Sequence, residues 1–570
     1  MDSPTYDVLI VGGGLAGLRA AIAAVEANPH VKVGMISKVY PMRSHSVSAE
    51  GGAAAVFDPK DSFDTHAFDT IKGSDYLADQ VVVEAFVREA PLEIIQMEHW
   101  GCPWSRNPDG TIAQRPFGGM TVWRTVFAAD KSGFHMLHTL FQTSLKYESI
   151  RRHDEGFVTS LLVEDGRCVG VTALDIRGGR LEAITAKSVI LATGGSGRTY
   201  AFSTNAAICT GDGMALAYRA GVPLKDMEMV QFHPTGLPNT GILITEAVRG
   251  EGGYLINNKG ERFLKEYVPT KMELGPRDII SRAEVLEFEK GNGFEGPYGL
   301  FMHLDVRHLG EAAIDRKLPF MRELGREYVG IDIVKDPIPV RPVEHYHMGG
   351  VDTDIFGATS LSGLYAAGEC ANAGLNGANR LGSNSLPECL VFGAAAGRAA
   401  AQHALEARPI TANPVASLLS DETRRVQDEY LNKERGDEGI AVIREAMQAG
   451  MDRFCGVFRT GEGLQELVDD LEKLRHRLGK ARLHDHSRVF NTELIQALEL
   501  DFMLDCATAI AFGALERKES RGAHARRDFP ERDDEHFLGN TLAFRQAEGP
   551  PRIEYRPVRI TNWQPQARTY

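Results

Sequence analysis

The stretch Tyr6-Asp7-Val8-Leu9-Ile10-Val11-Gly12-Gly13-Gly14-Leu15-Ala16-Gly17 decides the fold of this chain. Residues 6–11 are a compact, mostly apolar run that passes directly into a glycine-rich turn, then into an alanine-rich segment ending near Asn28. That order predicts strand, tight turn and helix, with a second strand over 31–37. Gly12, Gly14 and Gly17 have the spacing of a dinucleotide-binding turn. The first makes the bend, the second lets the backbone approach a pyrophosphate, and the third brings helix and strand close together. The helix N-terminus, around Gly13 and Ala16, then offers unpaired N–H groups to the phosphates. The fold class is therefore α/β, with a Rossmann-like dinucleotide-binding domain at its start.

Outward from this unit, Ser37-Lys38 stands where the general fingerprint carries an acidic ribose ligand. The loop Arg43-Ser44-His45-Ser46-Val47-Ser48-Ala49-Glu50-Gly51-Gly52 follows, and its small residues let the chain run beside a flavin. His45 there can pack against the ring or bond to it. Strands are expected over 156–163 and 169–175, with the backbone of Gly156, Phe157 and Val158 near the adenine. A further strand over 188–192 ends in Thr193-Gly194-Gly195-Ser196-Gly197, like the second flavin-contacting turn of many flavoproteins. Asp212, in Thr210-Gly211-Asp212-Gly213, opens a helix as either an N-terminal carboxylate or a cofactor ligand.

Residues 1–228 thus form the first part of the flavin domain. From 229 to 345 the composition turns polar and loop-rich, with histidine, arginine and glutamate clustered, as expected of an inserted α+β capping domain. The flavin domain resumes over 346–406 with Gly349-Gly350, a strand over 363–367, Gly368-Glu369, and the run Asn379-Arg380-Leu381-Gly382-Ser383-Asn384-Ser385-Leu386 leading into a helix over 388–404. Glu369 is placed to bind flavin or ribosyl hydroxyls. Ser385 and Leu386 lead into that helix, whose N-terminus would stabilise negative charge on reduced flavin. Amphipathic patterns over 418–435, 439–457 and 461–478, and a longer buried helix over 492–515, predict a helical bundle domain at 407–528. Residues 529–570, with a strand-like 552–560, read as a small C-terminal domain.

A formal net charge of −14 argues against nucleic acid, whose binding rests on neutralising phosphates. An anionic substrate would need a local pocket of cations inside this acidic chain. The cysteines, at 102, 168, 209, 370, 389, 455 and 506, include no CxxC pair. They fit reduced thiols, not a disulfide framework or the clustered ligands of an iron–sulfur centre, and no metal site is expected. The N-terminus lacks the pattern of a signal peptide. No apolar run reaches the ~18–20 residues of a membrane helix.

The run Ser37-Lys38-Val39-Tyr40-Pro41-Met42-Arg43-Ser44-His45 resembles the flavin-attachment segment of fumarate reductase and succinate dehydrogenase flavoprotein subunits. Four more segments match that family at its active-site positions: Gln231-Phe232-His233-Pro234-Thr235-Gly236, Thr245-Glu246-Ala247-Val248-Arg249-Gly250, Gly275-Pro276-Arg277-Asp278 and His345-Tyr346-His347-Met348-Gly349-Gly350. The resemblance spans essentially the whole chain. It implies FAD bound through an 8α-histidyl link at His45, which raises the flavin's reduction potential, and fumarate–succinate interconversion by hydride transfer. Arg380 and His345 would hold one carboxylate, His233 and Thr245 the other. Arg277 would deliver the proton, with Glu246 and Arg249 as its relay. The resemblance also implies an iron–sulfur partner subunit, a membrane anchor and quinone beyond it, and a peripheral position on the cytoplasmic face of the inner membrane.

Glu50 and the Val39–Met42 run resemble fumarate reductases, whereas many succinate dehydrogenases carry glutamine at the Glu50 position. L-Aspartate oxidase is the main enzymatic rival, but it binds flavin noncovalently and lacks the Arg-Ser-His motif. A redox-silent flavin-binding subunit has no need of the His233, Glu246, Arg249, Arg277, His345 and Arg380 set. In two places the reading leaves a residue without a role. Asn376 stands where the family commonly has histidine, and His347 is an additional histidine in the substrate-facing segment.

Overall fold

The computed structural model describes residues 4–569 apart from 411, 434, 435 and 437. The Thr5–Val11 strand lies at the middle of a seven-stranded sheet. It pairs in parallel with Val33–Ser37 on one side and with Arg180–Leu191 on the other. Ile150–Asp154 adds outside Val33–Ser37 in parallel, and Leu364–Ala366 pairs in parallel with Arg180–Leu191. The strands Arg167–Asp175 and Gly156–Glu164 continue the sheet antiparallel. Val8, Leu9 and Ile10 are fully buried, as expected of a strand covered on both faces.

Two helices, Leu15–Ala27 and Ser385–Glu406, lie against each other beside this sheet. Their approach is set by glycine: a Cβ on Gly397 would come within 2.2 Å of the Ala20 carbonyl oxygen. Alanines on both helices (Ala20, Ala24, Ala396 and Ala400) complete the seam at 0% exposure.

A second sheet runs Val230–Gly236, Ile338–His347, Gly299–Asp305, Tyr254–Ile256, with Phe294–Gly296 beside the third. Its core of leucine, isoleucine, valine and methionine is packed beneath the helix Arg277–Glu289 and the short helices over 311–324. The helices Ile440–Phe454, Gly461–Lys480 and Thr492–Glu516 form the bundle. The last is buried along most of its length, and Phe502 stacks on Phe157 of the flavin sheet with centroids 5.9 Å apart. No helix among the described residues is long and apolar enough to cross a membrane.

Several elements depart from the sequence expectation. The strand expected over 188–192 extends from Arg180 to Leu191. Ile150–Asp154, unread because of its Arg151-Arg152-His153 core, is an edge strand that tolerates charge. The helix expected over 418–435 starts earlier, running Ala412–Val426 before a wider turn at Gln427–Leu431; its expected last positions, 434 and 435, lie outside the described residues. The C-terminal stretch is joined to the rest of the chain through a shared sheet. Its strands Gly539–Phe544 and Arg552–Pro557 extend a sheet begun by Leu224–Lys225, Gly350–Asp352 and Ala371–Asn372, because the Leu224–Lys225 edge would otherwise go unpaired.

Candidate active site

A cavity of about 570 Å³ opens where the strands of the main sheet end and the capping sheet begins. In open α/β sheets this carboxyl end of the strands is where ligands bind. Gly12, Gly13, Gly14, Ala16, Ser37 and Lys38 line it, followed by the loop residues Ser44, His45, Ser46, Gly51 and Gly52. Gly156, Phe157, Val158, Thr193, Gly194 and Asp212 continue the wall, and Glu369, Arg380, Ser385 and Leu386 close it. Gly17 does not reach the cavity. A Cβ there would meet the Gly12 carbonyl oxygen at 2.1 Å, so its part is the close helix–strand approach.

The shape of the wall fits FAD. Gly12 has φ +117° and a Cβ would lie 2.1 Å from the Ala192 carbonyl oxygen, so the turn admits only glycine. Gly194, at φ +79°, has open space where a Cβ would project. Lys38 and Asp212, read separately from the sequence, form an ion pair at 2.8 Å. Lys38 Nζ also donates to Glu499 at 2.7 Å and to Thr210 Oγ1 at 2.8 Å, tying this wall to the helical bundle. Asp212 is thus both the first residue of its helix and a cavity-lining carboxylate.

His45 lies on the same wall. Its Nδ1 accepts the Ala206 backbone N–H at 3.3 Å, which leaves Nε2 as the free ring nitrogen. Desolvation and the nearby Arg198 charge lower its pKa to about 4, so the ring is neutral. A neutral, correctly oriented imidazole is what a covalent bond to flavin requires. Glu50 is buried with Oε2 unpartnered, and burial, reinforced by Asp130, raises its pKa well above the usual carboxylate range.

At the capping end, Pro276 precedes the helix Arg277–Glu289 and fixes the approach of Arg277. Arg277 Nε donates to Glu246 Oε2 at 2.8 Å, and Nη1 donates to Gln231 Oε1 at 2.9 Å. Glu246 Oε1 accepts the Gly118 N–H at 2.5 Å. Burial alone would raise the Glu246 pKa, but Arg277 and Arg249 outweigh it and the carboxyl is held below its ordinary value. Arg249 lies 3.6 Å from Glu246 and donates to the Glu273 carbonyl. It does not line the cavity, so it stands behind Glu246 and away from the ligand space.

His233 and His345 meet edge to face with centroids 5.0 Å apart. His233 Nδ1 accepts the Thr235 N–H at 3.2 Å, which puts the proton of the neutral ring on Nε2. That Nε2 is buried without a partner. His345 Nδ1 is fixed by Thr204 Oγ1 at 2.7 Å. Burial, with Arg277 adding to it, pushes both histidines well below the ordinary value, so both are neutral donors. Arg380 Nε is likewise buried and unpartnered, while Thr245 completes the wall. One end of the cavity is therefore an anion site with three unsatisfied or rotatable donors, next to a buried Arg–Glu–Arg chain.

The structure brings together every site residue expected from the sequence except Gly17 and Arg249, which support the wall from behind. Sequence reading passed over Gln231, whose Oε1 accepts from Arg277 and, at 3.4 Å, from Arg380 Nη2. Its Nε2 donates to Asn379 Oδ1 and the Arg380 carbonyl, each at 2.8 Å. The available signal was its spacing of two residues from His233 on one strand. His347 is now explained: Ser196 Oγ lies 3.0 Å from its Nδ1 and the Met227 carbonyl 3.3 Å from its Nε2, so it braces the second glycine turn from behind.

An FAD binding domain model matches residues 7–386, and a fumarate reductase flavoprotein C-terminal model matches residues 444–570. The fumarate reductase flavoprotein subunit of Mycobacterium tuberculosis is 57% identical over 577 residues, covering 99% of each chain. The succinate dehydrogenase flavoprotein subunit of Rickettsia conorii is 42% identical, covering 98% of this chain and 96% of its own. A solved Escherichia coli quinol fumarate reductase FrdA variant superposes with a TM-score of 0.98 at 50% identity, covering 100% of this chain and 99% of its own. With flavin-binding and C-terminal regions both matched and the likeness running end to end, this chain belongs to the fumarate reductase flavoprotein subunit family.

Proposed function

We propose that this flavin-dependent oxidoreductase reduces fumarate to succinate as the catalytic subunit of a membrane-bound quinol:fumarate reductase. The observation that carries this reading is the anion site itself. His233 Nε2 and Arg380 Nε are buried without partners beside the Arg277–Glu246 ion pair, at one end of a dinucleotide-sized cavity. Buried polar groups are ordinarily paired, and a four-carbon dicarboxylate supplies the missing acceptors.

Arg380 and His345 grip one carboxylate, and His233 Nε2 with the Thr245 hydroxyl grips the other. A planar guanidinium suits a carboxylate because its N–H groups form a fork. Holding both ends fixes the alkene against the cavity wall. Bound FAD supplies the hydride. The Arg277 guanidinium gives a proton to the neighbouring carbon, where developing carbanion character makes even this weak acid a sufficient donor. Glu246 returns the proton to Arg277 across their 2.8 Å contact, and Arg249 passes to Glu246 a proton taken up in turn from solvent. His45, through its free Nε2, would hold the flavin covalently.

Electrons reach the flavin from an iron–sulfur subunit, and through it from a membrane anchor and quinol at the cytoplasmic face of the inner membrane. Support comes from the solved relative being a quinol fumarate reductase. The fumarate reductase direction is favoured by Glu50 and by the higher identity to fumarate reductase than to succinate dehydrogenase subunits.

Flavin fluorescence of the chain on a denaturing gel, paired with fumarate reduction by a reduced viologen, tests the reading. The wild type should give a fluorescent band and consume fumarate, and His45→Ser should lose the band while native flavin remains. A dark wild-type band would remove the covalent link. No fumarate consumption by flavin-loaded protein would remove the substrate assignment.

A further inference from the structure

Most buried arginines among the described residues are ion-paired. Arg124 is paired with Asp61 at 2.9 Å and Asp69 at 2.6 Å, and Arg517 with Glu228 at 2.7 Å and Glu519 at 2.8 Å. Among the described residues Arg380, only 4% exposed, has no ion pair; Arg115 and Arg459 are buried and also lack one, but each donates to backbone carbonyl oxygens instead. Its one side-chain hydrogen bond is the long contact to Gln231. A buried, uncompensated guanidinium is costly.

What lies against it is an aromatic ring. The Arg380 guanidinium carbon sits 4.1 Å from the centroid of Tyr346. Tyr346 Oη donates to Glu388 Oε2 at 2.7 Å. Asn376 Nδ2 donates to both oxygens of the same carboxylate, at 3.1 and 3.0 Å. Tyr346, Glu388 and Asn376 are all buried. The order is therefore cation, ring, hydroxyl, carboxylate, amide.

Resting on the reading of Arg380 as a carboxylate ligand, we infer that Tyr346 and Glu388 are positioning residues that compensate the Arg380 charge through the ring, so that its hydrogen-bonding edge stays free for substrate. Guanidinium N–H groups point outward in the plane, whereas a ring covers only one face. A carboxylate placed directly on Arg380 would occupy the fork that a dicarboxylate must enter. A phenol donating to a carboxylate carries more electron density in its ring, which strengthens attraction for a cation on its face. Glu388 thereby acts on Arg380 without touching it. Asn376 holds the carboxylate against Tyr346, which gives this unassigned residue its part.

Malonate, a dicarboxylate that cannot be reduced, is titrated into the flavin-loaded enzyme and followed through the flavin absorbance, alongside KM and kcat for fumarate. Glu388→Gln removes the charge and keeps an acceptor; Tyr346→Phe keeps the ring and removes the link. Each should weaken malonate binding and raise KM about three- to tenfold, with kcat within about twofold, as expected when part of a desolvated cation–π contact is lost. The double variant should be no worse than the worse single, because both cut one chain. Tyr346→Leu, which removes the ring, should weaken binding about 30-fold.

The inference is overturned if both conservative variants bind malonate within twofold of wild type. It is equally overturned if their effects multiply in the double variant, or if kcat falls while binding is unchanged. Wild-type enzyme that binds no malonate would instead remove the dicarboxylate site on which the inference rests.

Discussion

The geometry around Arg277 is what makes it the proton donor of the proposed mechanism. It begins its helix, so its side chain projects from the first turn toward Glu246 and Gln231 without crossing the helix's own backbone. The neighbouring histidines are the usual candidates for such a role, but burial and the surrounding arginines keep both neutral and well below their ordinary pKa. In the proposed mechanism they donate hydrogen bonds to the substrate and leave the proton to Arg277. Arg277→Gln retains a planar donor yet cannot exchange a proton, so kcat for fumarate should fall at least about 100-fold, the range expected for loss of a general acid. Flavin content and malonate affinity should change little, which separates lost chemistry from lost folding. A kcat within tenfold of wild type would pass the role to another group. Glu246→Gln breaks the relay one step earlier and should reduce turnover to a similar degree, because serial steps in one chain are not additive.

At the scale of elements, the two helices Leu15–Ala27 and Ser385–Glu406 bring the ends of the chain's flavin-binding parts together. Each carries its N-terminus to the cavity, one beside Gly14 and the other at Ser385 and Leu386. Their seam has no room for an added methyl at Gly397, which sits 2.2 Å in Cβ terms from the Ala20 oxygen. Gly397→Ala should therefore destabilise by about 1–3 kcal/mol through overpacking, outweighing the helix-propensity gain of alanine. Arg398→Ala, on the exposed side of the same helix, should be close to neutral. Thermal melts of the two variants would distinguish the seam from a generic helix effect. The glycine spacing made the first helix and its turn legible from sequence, and the apolar strands around it followed from their runs of Val, Leu and Ile. Ile150–Asp154 and Gly539–Phe544 were not legible, since one is charged and the other mixes glycine, asparagine and alanine, and both depend on partners distant in sequence. The site divides the same way. Glycines and the His45 loop declare themselves locally, and the capping residues were reached only through resemblance. Gln231 and Tyr346 went unread because their partners, Asn379 and Glu388, lie 148 and 42 residues further along the chain.

Across the whole molecule, the C-terminal stretch is wired to the start of the helix Arg277–Glu289. Arg568 donates to both oxygens of Asp278, at 2.9 and 3.1 Å, and reaches Asp75 at 3.4 Å. Asp278 directly follows Arg277, and its side chain is fully shielded from solvent. Burial would raise its pKa, yet Arg568 and then Arg282 reverse this and hold the carboxyl at about 2. One guanidinium thus joins the C-terminal stretch, the capping helix and the flavin-domain loop at Asp75. Arg568→Ala would leave Asp278 buried with Arg282 as its remaining partner at 3.1 Å. The expected loss is about 2–4 kcal/mol, toward the lower side of what breaking a buried pair costs, because that second partner stays. The sign of its pH dependence follows from linkage. The folded pKa lies below the unfolded aspartate value of about 3.9, so the stabilisation is fully present above pH 4 and is lost as pH falls toward 2. The gap between wild type and Arg568→Ala in urea midpoints should therefore be constant from pH 5 to 8 and narrow only in strong acid. Because Arg277 rides on the same helical turn, fumarate turnover should fall in this variant even at temperatures where it remains folded, and Arg568→Lys, with one charge but no fork, should recover stability more fully than turnover. A variant with wild-type midpoint and wild-type turnover would mean that this helix is held by the capping core alone, and that the C-terminal stretch is a passenger on a site already complete.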